Sequence, residues 1–496
     1  MTFFYYTLIY QTHIKKLLLW YNYKRIGVIK MEMKTLDVVE IKDGLKFVLS
    51  EDKKFYEVVG IDNSLVDLKI PSEYNGLPIK QIGRHAFQNF NNLTSVAVAE
   101  GIEKISDHAF ESCTNLTEVS LPKSLIEIEY EAFKSCSNLE YIEIPEGVEK
   151  IGAGSFKFCS KLSGVKLPTN LSNISNWTFE KCISLININI PDSVSSIGWG
   201  AFKECTNLKN IILPDGITSI GWNAFQYCKN LTSIKIPDEI TWIQDYTFSG
   251  CINLEEVVLP NKLKRIGEGA FHGCEKLQTP KFLANLKEIH SFAFCGCASF
   301  DSIEFSNSMT EIYPNAFYGC NKLTSVVLPS DLVEIPKFAF GMCTNLVKVV
   351  LPSKLEVIDD AAFYECENLI SIDIPKTLIS IGKGAFKGCK LLNKVEFSNG
   401  LVSIGISAFE GCNNLEEIIL PNTVELIDEQ AFSKCKKLLR IIIPNSIKTI
   451  NGSRYYRNIF YGCDNLKEII YMGTKEDWKN IKKKYTGLTL GMITFN

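Results

Sequence analysis

The stretch "LPDGITSIGWNAFQYCKNLTSIKIP", Leu213 to Pro237, decides how this chain folds. Its key residues return every 23 positions. Phenylalanine stands at Phe87, Phe110, Phe133, Phe156, Phe179, Phe202 and Phe225, and continues in equal steps to Phe432. A seventeenth unit centres on Phe460, five residues late. Isoleucine stands five residues before each of the first sixteen phenylalanines, from Ile82 to Ile427. Cysteine stands three after, from Cys113 to Cys435 and again at Cys463, with Phe90 as the break. Leucine stands six after, with Phe300 as the exception. Self-similarity at a fixed period of this length is the signature of a solenoid.

The physics of one unit explains why units must stack. In "LEYIEIP", Ile142 and Ile144 alternate with Tyr141 and Glu143, the period of a strand with one buried face. Pro145 has no N–H to continue a ladder. The chain returns through "LIEIEYEAF" and turns inward at Ile128, Ala132 and Phe133. A single unit cannot bury both walls, whereas stacked units share a parallel ladder and a continuous core. The expected fold is a right-handed repeat solenoid of about 17 rungs, curved, with a parallel sheet on its concave face. At ~4.8 Å per rung it would be roughly 80 Å long.

Composition fits this picture and limits the chemistry. The chain has 496 residues, 46% hydrophobic and 22% charged, with a net charge of −3. That balance provides no global field for nucleic acid or anionic lipid. Five histidines leave little material for metal or acid–base work. Seventeen cysteines would suggest disulfides in a small secreted domain. Here they form one column of small apolar residues, expected as reduced thiols inside the stack.

The repeat unit resembles the BspA-type (Treponema-type) leucine-rich repeat, from about Leu68 to Met472. "GLKFVLSEDKKFYEVVGIDNSLVDLKIPSEYNGLPIKQIG" looks like that family's leading hairpin and longer first turn. "IIYMGTKEDWKNI" looks like its closing unit, with Trp478 packing over the last rung. The division expected is 1–32 as a poorly ordered leader or upstream extension, 33–81 as N-terminal cap, 82–472 as repeats and 473–496 as C-terminal cap. No run in the first thirty residues reaches the length of a membrane span, and none has the grammar of a signal peptide. The expectation is an upstream extension before a true start at Met31 or Met33, with an interfacial leader as the alternative. The resemblance implies a non-enzymatic binding scaffold, of the surface and adhesion kind common in microbes. An intracellular protein–protein interaction scaffold and a carbohydrate binder are the other two readings. No cofactor, metal, nucleic acid or integral membrane segment is expected, and the ligand is an unknown protein or glycan.

Three places stand out as candidate contact surfaces. Residues eight and ten after each phenylalanine should face outward on the concave sheet. There Ile419, Ile442 and Ile470 form an apolar line beside Glu417, Arg440 and Glu468, and Val327 and Val350 form a smaller pair. Such residues suit a strand on their own account, and a continuous apolar line can also mark a contact surface. Trp177, Trp199, Trp222 and Trp242 fall in four consecutive units, with Trp199 and Trp222 in one column. Clustered rings can anchor a partner or stack on a sugar, or they can lie flat over the convex surface. The insertion "NGSRYYRN" carries Arg454, Tyr455, Tyr456 and Arg457, residue types typical of interface anchors.

Chemistry has one place to hide. "FAFCGCASF" puts Cys295 outside the cysteine column, with His272 at the same column one rung earlier and His290 nearby. A structural metal would need about four ligands, and Cys297 belongs to the core. Cys295 is therefore expected to be the one exposed thiol. In the unit before it, Pro280 replaces an inward strand residue, which predicts a local irregularity.

Overall fold

The computed structural model describes residues 40–42, 44–61, 65–282, 284–452, 459–484, 488 and 490–495. Among these, the chain is a parallel β-solenoid of about 18 turns. It opens with antiparallel strands Glu40–Lys42, Leu45–Leu49 and Tyr56–Ile61, the last of which pairs in parallel with Leu77–Ile82. From there most turns contribute two short strands. A three-residue strand such as Tyr141–Glu143 pairs with its copy Gly164–Lys166 in the next turn, Ile142 opposite Val165. On the other wall a two-residue strand such as Glu127–Ile128 pairs with Lys150–Ile151. Each register step is one repeat, so every column of the sequence becomes a line of stacked side chains.

The phenylalanine column is the clearest such line. Adjacent rings stack nearly parallel, from 5.0 Å for Phe87 and Phe110 to 5.8 Å for Phe340 and Phe363. After the five-residue insertion, Phe432 and Phe460 are 6.4 Å apart. Each fully buried ring removes a large apolar surface from water, and truncating one to alanine costs about 3–5 kcal/mol.

The arc that carries Phe225 shows how a turn without strands still bonds to its neighbour. Asn223, Phe225 and Tyr227 donate their N–H groups forward to Asp245, Thr247 and Ser249, at 3.1, 2.9 and 2.8 Å. The residues between them, Ala224, Gln226 and Cys228, bond back within their own turn. Asn223 and Tyr227 have left-handed backbones, φ 57° and 59°. The same two columns, two residues before and two after phenylalanine, are left-handed in all sixteen regular turns. That conformation costs a residue with a Cβ roughly 1–2 kcal/mol. No valine, isoleucine or threonine occupies either column, as the steric argument requires.

The cysteine column lies inside this arc. Each thiol donates to the carbonyl of the phenylalanine on the preceding turn, as Cys113 does to Phe87 at 3.0 Å and Cys320 to Phe294 at 3.4 Å. Burial pushes the fully enclosed thiols of this column up, Cys159 and Cys251 to about 12. They are protonated donors, and no disulfide joins any of the seventeen.

The turn with Pro280 departs from the pattern as its sequence predicted. Residues 277–282 form no strand, and the strands Glu256–Val258 and Ser302–Glu304 on either side have no ladder across it. Pro280 is buried but lacks the N–H that its column normally donates. The opposite wall runs through unbroken, Arg265 to Glu288 to Glu311.

At the C-terminal end, strand Glu468–Tyr471 pairs with Thr494–Phe495. Helix Lys475–Asn480 is closed at its start by a reciprocal Thr474–Asp477 capping box. It presents Trp478, which is buried edge-on against Tyr471 at 5.0 Å.

Candidate functional site

The concave sheet places the C-terminal isoleucines in register, Ile419 opposite Ile442 and Ile442 opposite Ile470. Their exposure is graded. Ile419 is 54% exposed, while Ile442 and Ile470 are half-buried. Ile470 is half-covered because Thr494 pairs against it as the closing strand. Arg440 belongs to this surface through an ion pair: its Nε donates to Glu417 Oε1 at 2.6 Å, and its terminal nitrogen reaches the same oxygen. Val327 and Val350 are in register and exposed.

The same columns hold exposed residues that the sequence reading passed over. Ile212, ten residues after Phe202, is 84% exposed. Outside those columns, seven after their phenylalanines, Val347 is exposed on the turn of Val350 and Ile370 on the turn after it. For Ile212 the signal was the column arithmetic itself, which assigns its position outward as firmly as that of Ile419. Beside this face an open groove of about 440 Å³ is lined by Ile186, Lys209 and the asparagines Asn207, Asn230 and Asn253.

The four tryptophans do not form one cluster. Trp199 and Trp222 stack at 5.4 Å with planes 8° apart. Trp222 is 40% exposed, and its indole N–H donates to Gln244 Oε1 at 2.5 Å. Trp177 is one turn earlier, in a left-handed conformation, with its ring over Gly200, where an added Cβ would come within 2.7 Å of the indole. Trp242 is on the two-residue strand Trp242–Ile243, a different column, and packs under the Arg265 guanidinium at 5.0 Å. The expectation of a four-residue cluster is therefore corrected to one stacked pair. Arg265 carries Trp242's surface onward through Glu288 at 2.7 Å, and Glu288 meets His290 at 3.1 Å. Burial works to raise Glu288, but the bonds from Arg265 and His290 outweigh it and hold the carboxylate below its ordinary range.

Cys295 is also corrected. It is 5% exposed, and burial pushes its thiol up to about 12. Its short side chain lies between the larger His272 and Tyr318, which hold the same column on the flanking turns. Burial holds His272 below the ordinary imidazole value. Both groups are thus driven towards their neutral forms, the reverse of an activated thiolate–imidazolium pair.

One group of potential metal ligands occurs among the described residues, His108, Glu111 and Glu131. The Lys134 ammonium already lies between the two carboxylates, 2.9 Å from Glu111 and 2.6 Å from Glu131. His108 Nδ1 is 2.7 Å from Glu111, and its ring stacks on His85 at 4.8 Å. Burial acts to raise Glu111, while hydrogen bonds from Lys134 and Gln88 bring it below its ordinary range. The group is a charge-matched network with a lysine where a cation would go. Arg454, Tyr455, Tyr456 and Arg457 lie outside the described residues.

An all-strand stack with a regular core and a variable, open concave face defines a leucine-rich-repeat scaffold. The model of the BspA type leucine rich repeat region matches residues 80–198, 173–291, 265–391 and 356–484, and the chain belongs to that family. Among solved structures, a leucine-rich repeat protein from Bacteroides ovatus is similar at 25% identity, over 92% of this chain and 100% of that one, with a TM-score of 0.49. A leucine rich cell surface protein from Faecalibacterium prausnitzii is similar at 23% identity, over 89% and 97%, with a TM-score of 0.36. The T. pallidum leucine rich repeat protein is 26% identical over 48% of this chain and 90% of its own, with a TM-score of 0.26. No curated protein matches the chain. No helix among the described residues is long and apolar enough to cross a membrane.

Proposed function

We propose that the protein is a non-enzymatic binding scaffold that engages a macromolecular partner through the C-terminal half of its concave sheet, in the adhesion mode that the family resemblance implies. The observation that carries this is the in-register line from Ile419 to Ile442, exposed at one end and edged by the Arg440–Glu417 pair. An apolar centre with a charged, hydrogen-bonded edge is the anatomy of a protein interface. The face is open and extended, which suits a macromolecule better than an enclosed small ligand.

Hydrogen exchange on the intact chain, with and without captured partner, tests the reading. Protection should concentrate in 417–419, 440–443 and 468–471. Protection confined to the convex arc would overturn it.

A second reading, glycan binding, is favoured by the stacked Trp199–Trp222 pair, since Trp222 leaves an indole face accessible beside a side-chain amide. Quenching of tryptophan fluorescence by an oligosaccharide, lost in Trp222→Ala, would support it.

A further inference from the structure

One column of the concave sheet is broken at a single residue. Nine residues after each phenylalanine stands valine or isoleucine, from Val96 to Val257 and from Ile303 to Ile469, and Pro280 is the exception. This column is the inward residue of the concave strand. Among the described residues, sixteen of the seventeen repeat units contribute such a strand, and the unit of Phe271 does not.

The same turn is bound normally on its other sides. On the opposite wall, Lys287 and His290 donate their N–H groups to Lys264 and Ile266, and Thr310 and Tyr313 donate to Lys287 and Ile289, all at 2.9 Å. The His290 ring adds a stacked contact to Tyr313 at 4.5 Å. Along the phenylalanine arc, Gly269, Phe271 and Gly273 donate to Ser291, Ala293 and Cys295 at 2.9, 2.8 and 2.8 Å. On the concave side, Gln278 still donates to Glu255 at 3.0 Å. Beyond it the Thr279 hydroxyl and Asp301 exchange two bonds, at 3.1 and 3.3 Å, in place of a strand ladder.

The core beneath the gap is also different. Phe282 and Phe305 stand where most units carry leucine or isoleucine, and they stack at 5.5 Å. Phe282 meets Phe294 edge-on at 5.6 Å, and Phe300 meets it tilted at 5.4 Å. Apolar contacts of this kind are non-directional. They fill the turn without fixing a strand register.

We propose that turn 277–282 is a hinge of the solenoid. The turns on either side rock about the intact wall and arc, so the concave face widens and narrows there. Rocking at any other turn distorts a concave strand, whereas here no strand has to give. A hinge of this type confines the backbone change to a few residues between elements. It divides the concave face between the groove lined by Asn207, Asn230 and Asn253 and the line from Ile419 to Ile442. The motion belongs to the free chain and does not depend on which partner that line takes.

The test measures spin-label distance distributions in the folded full chain, with labels on an encoded ketone side chain so that the native cysteines stay unlabelled. Lys235 and Val327 are exposed on the concave face, four repeats apart across the hinge. Glu143 and Lys235 are four repeats apart before it. Thr241 and Val333 span the same turns on the opposite wall. Because a hinge concentrates motion in one turn, the Lys235–Val327 distribution should be about twice as wide as the other two. Pro280→Ile returns the column's residue type and its N–H, and should narrow that distribution to the width of the Glu143–Lys235 pair. If this variant fails to fold, the three wild-type pairs decide alone. A Lys235–Val327 distribution no wider than the Glu143–Lys235 one, a wall pair that spreads equally, or a folded Pro280→Ile chain of unchanged width overturns the proposal.

Discussion

The thiol of Cys136 donates to the carbonyl of Phe110, 3.2 Å away on the preceding turn. This bond gives the cysteine column a role that an apolar residue of similar size could not fill. Replacing Cys136 by serine keeps a donor, and replacing it by valine removes one and adds a branch. Cys136→Val should be destabilised by about 1–3 kcal/mol, and Cys136→Ser by less. Urea midpoints, with hydrogen exchange across the affected turns, check the order. Valine at or above serine would show that the thiol acts only by its volume.

Lys181 tests the left-handed columns. Its φ is 60°, so it bears the cost of a Cβ in that region. Lys181→Gly should be neutral or stabilising, and Lys181→Val should lose about 1–2 kcal/mol or more. The difference should appear as local hydrogen exchange at turns 158–204, with the distant turns unchanged.

His272 gives a pH prediction. Burial holds its imidazole below the ordinary value of about 6.5. In the window between the folded and unfolded values the unfolded chain binds the extra proton, so stability rises with pH there. The contribution is complete above about 6.5 and is lost as pH falls through the folded value. Unfolding midpoints should fall between pH 7.5 and pH 5, and His272→Gln should flatten that part of the profile. His85 shifts in the same direction, through burial and the stacked His108, so a residual slope should remain in the variant.

Trp478 closes the core. It is buried against Tyr471, with the Lys483 ammonium over its ring at 5.1 Å. Trp478→Ala should cost about 3–5 kcal/mol locally. Exchange should quicken in 459–471 first, because terminal turns of a stack depend on their caps.

The period of 23 made the fold legible. Phe225, Ile220 and Cys228 fixed their columns, and columns fix neighbours once the units stack. Pro280 announced the interrupted strand for the same reason. What failed was reading a column as one environment. Cys295 occupies a column that holds Glu111 and Lys134 elsewhere, yet its side chain is too short to emerge between His272 and Tyr318. Proximity in sequence also joined Trp242 to Trp222, although the two stand in different columns and one faces Arg265. The left-handed residues carry no uniform residue type. Glycine, asparagine, tryptophan and glutamate all occur there, and only the absence of β-branched residues could have betrayed the backbone. Individual surface contacts depend on what each turn varies, and a repeat pattern is silent about variation.

The most direct measurement compares partner binding by the intact chain with that by the double variant Ile419→Glu, Ile442→Glu, after both give the same unfolding midpoint. The concave-face account predicts that the variant loses at least tenfold in affinity while Trp222→Ala binds normally. Unchanged binding by the double variant, with loss in Trp222→Ala, would contradict it and move the site to the convex tryptophan pair.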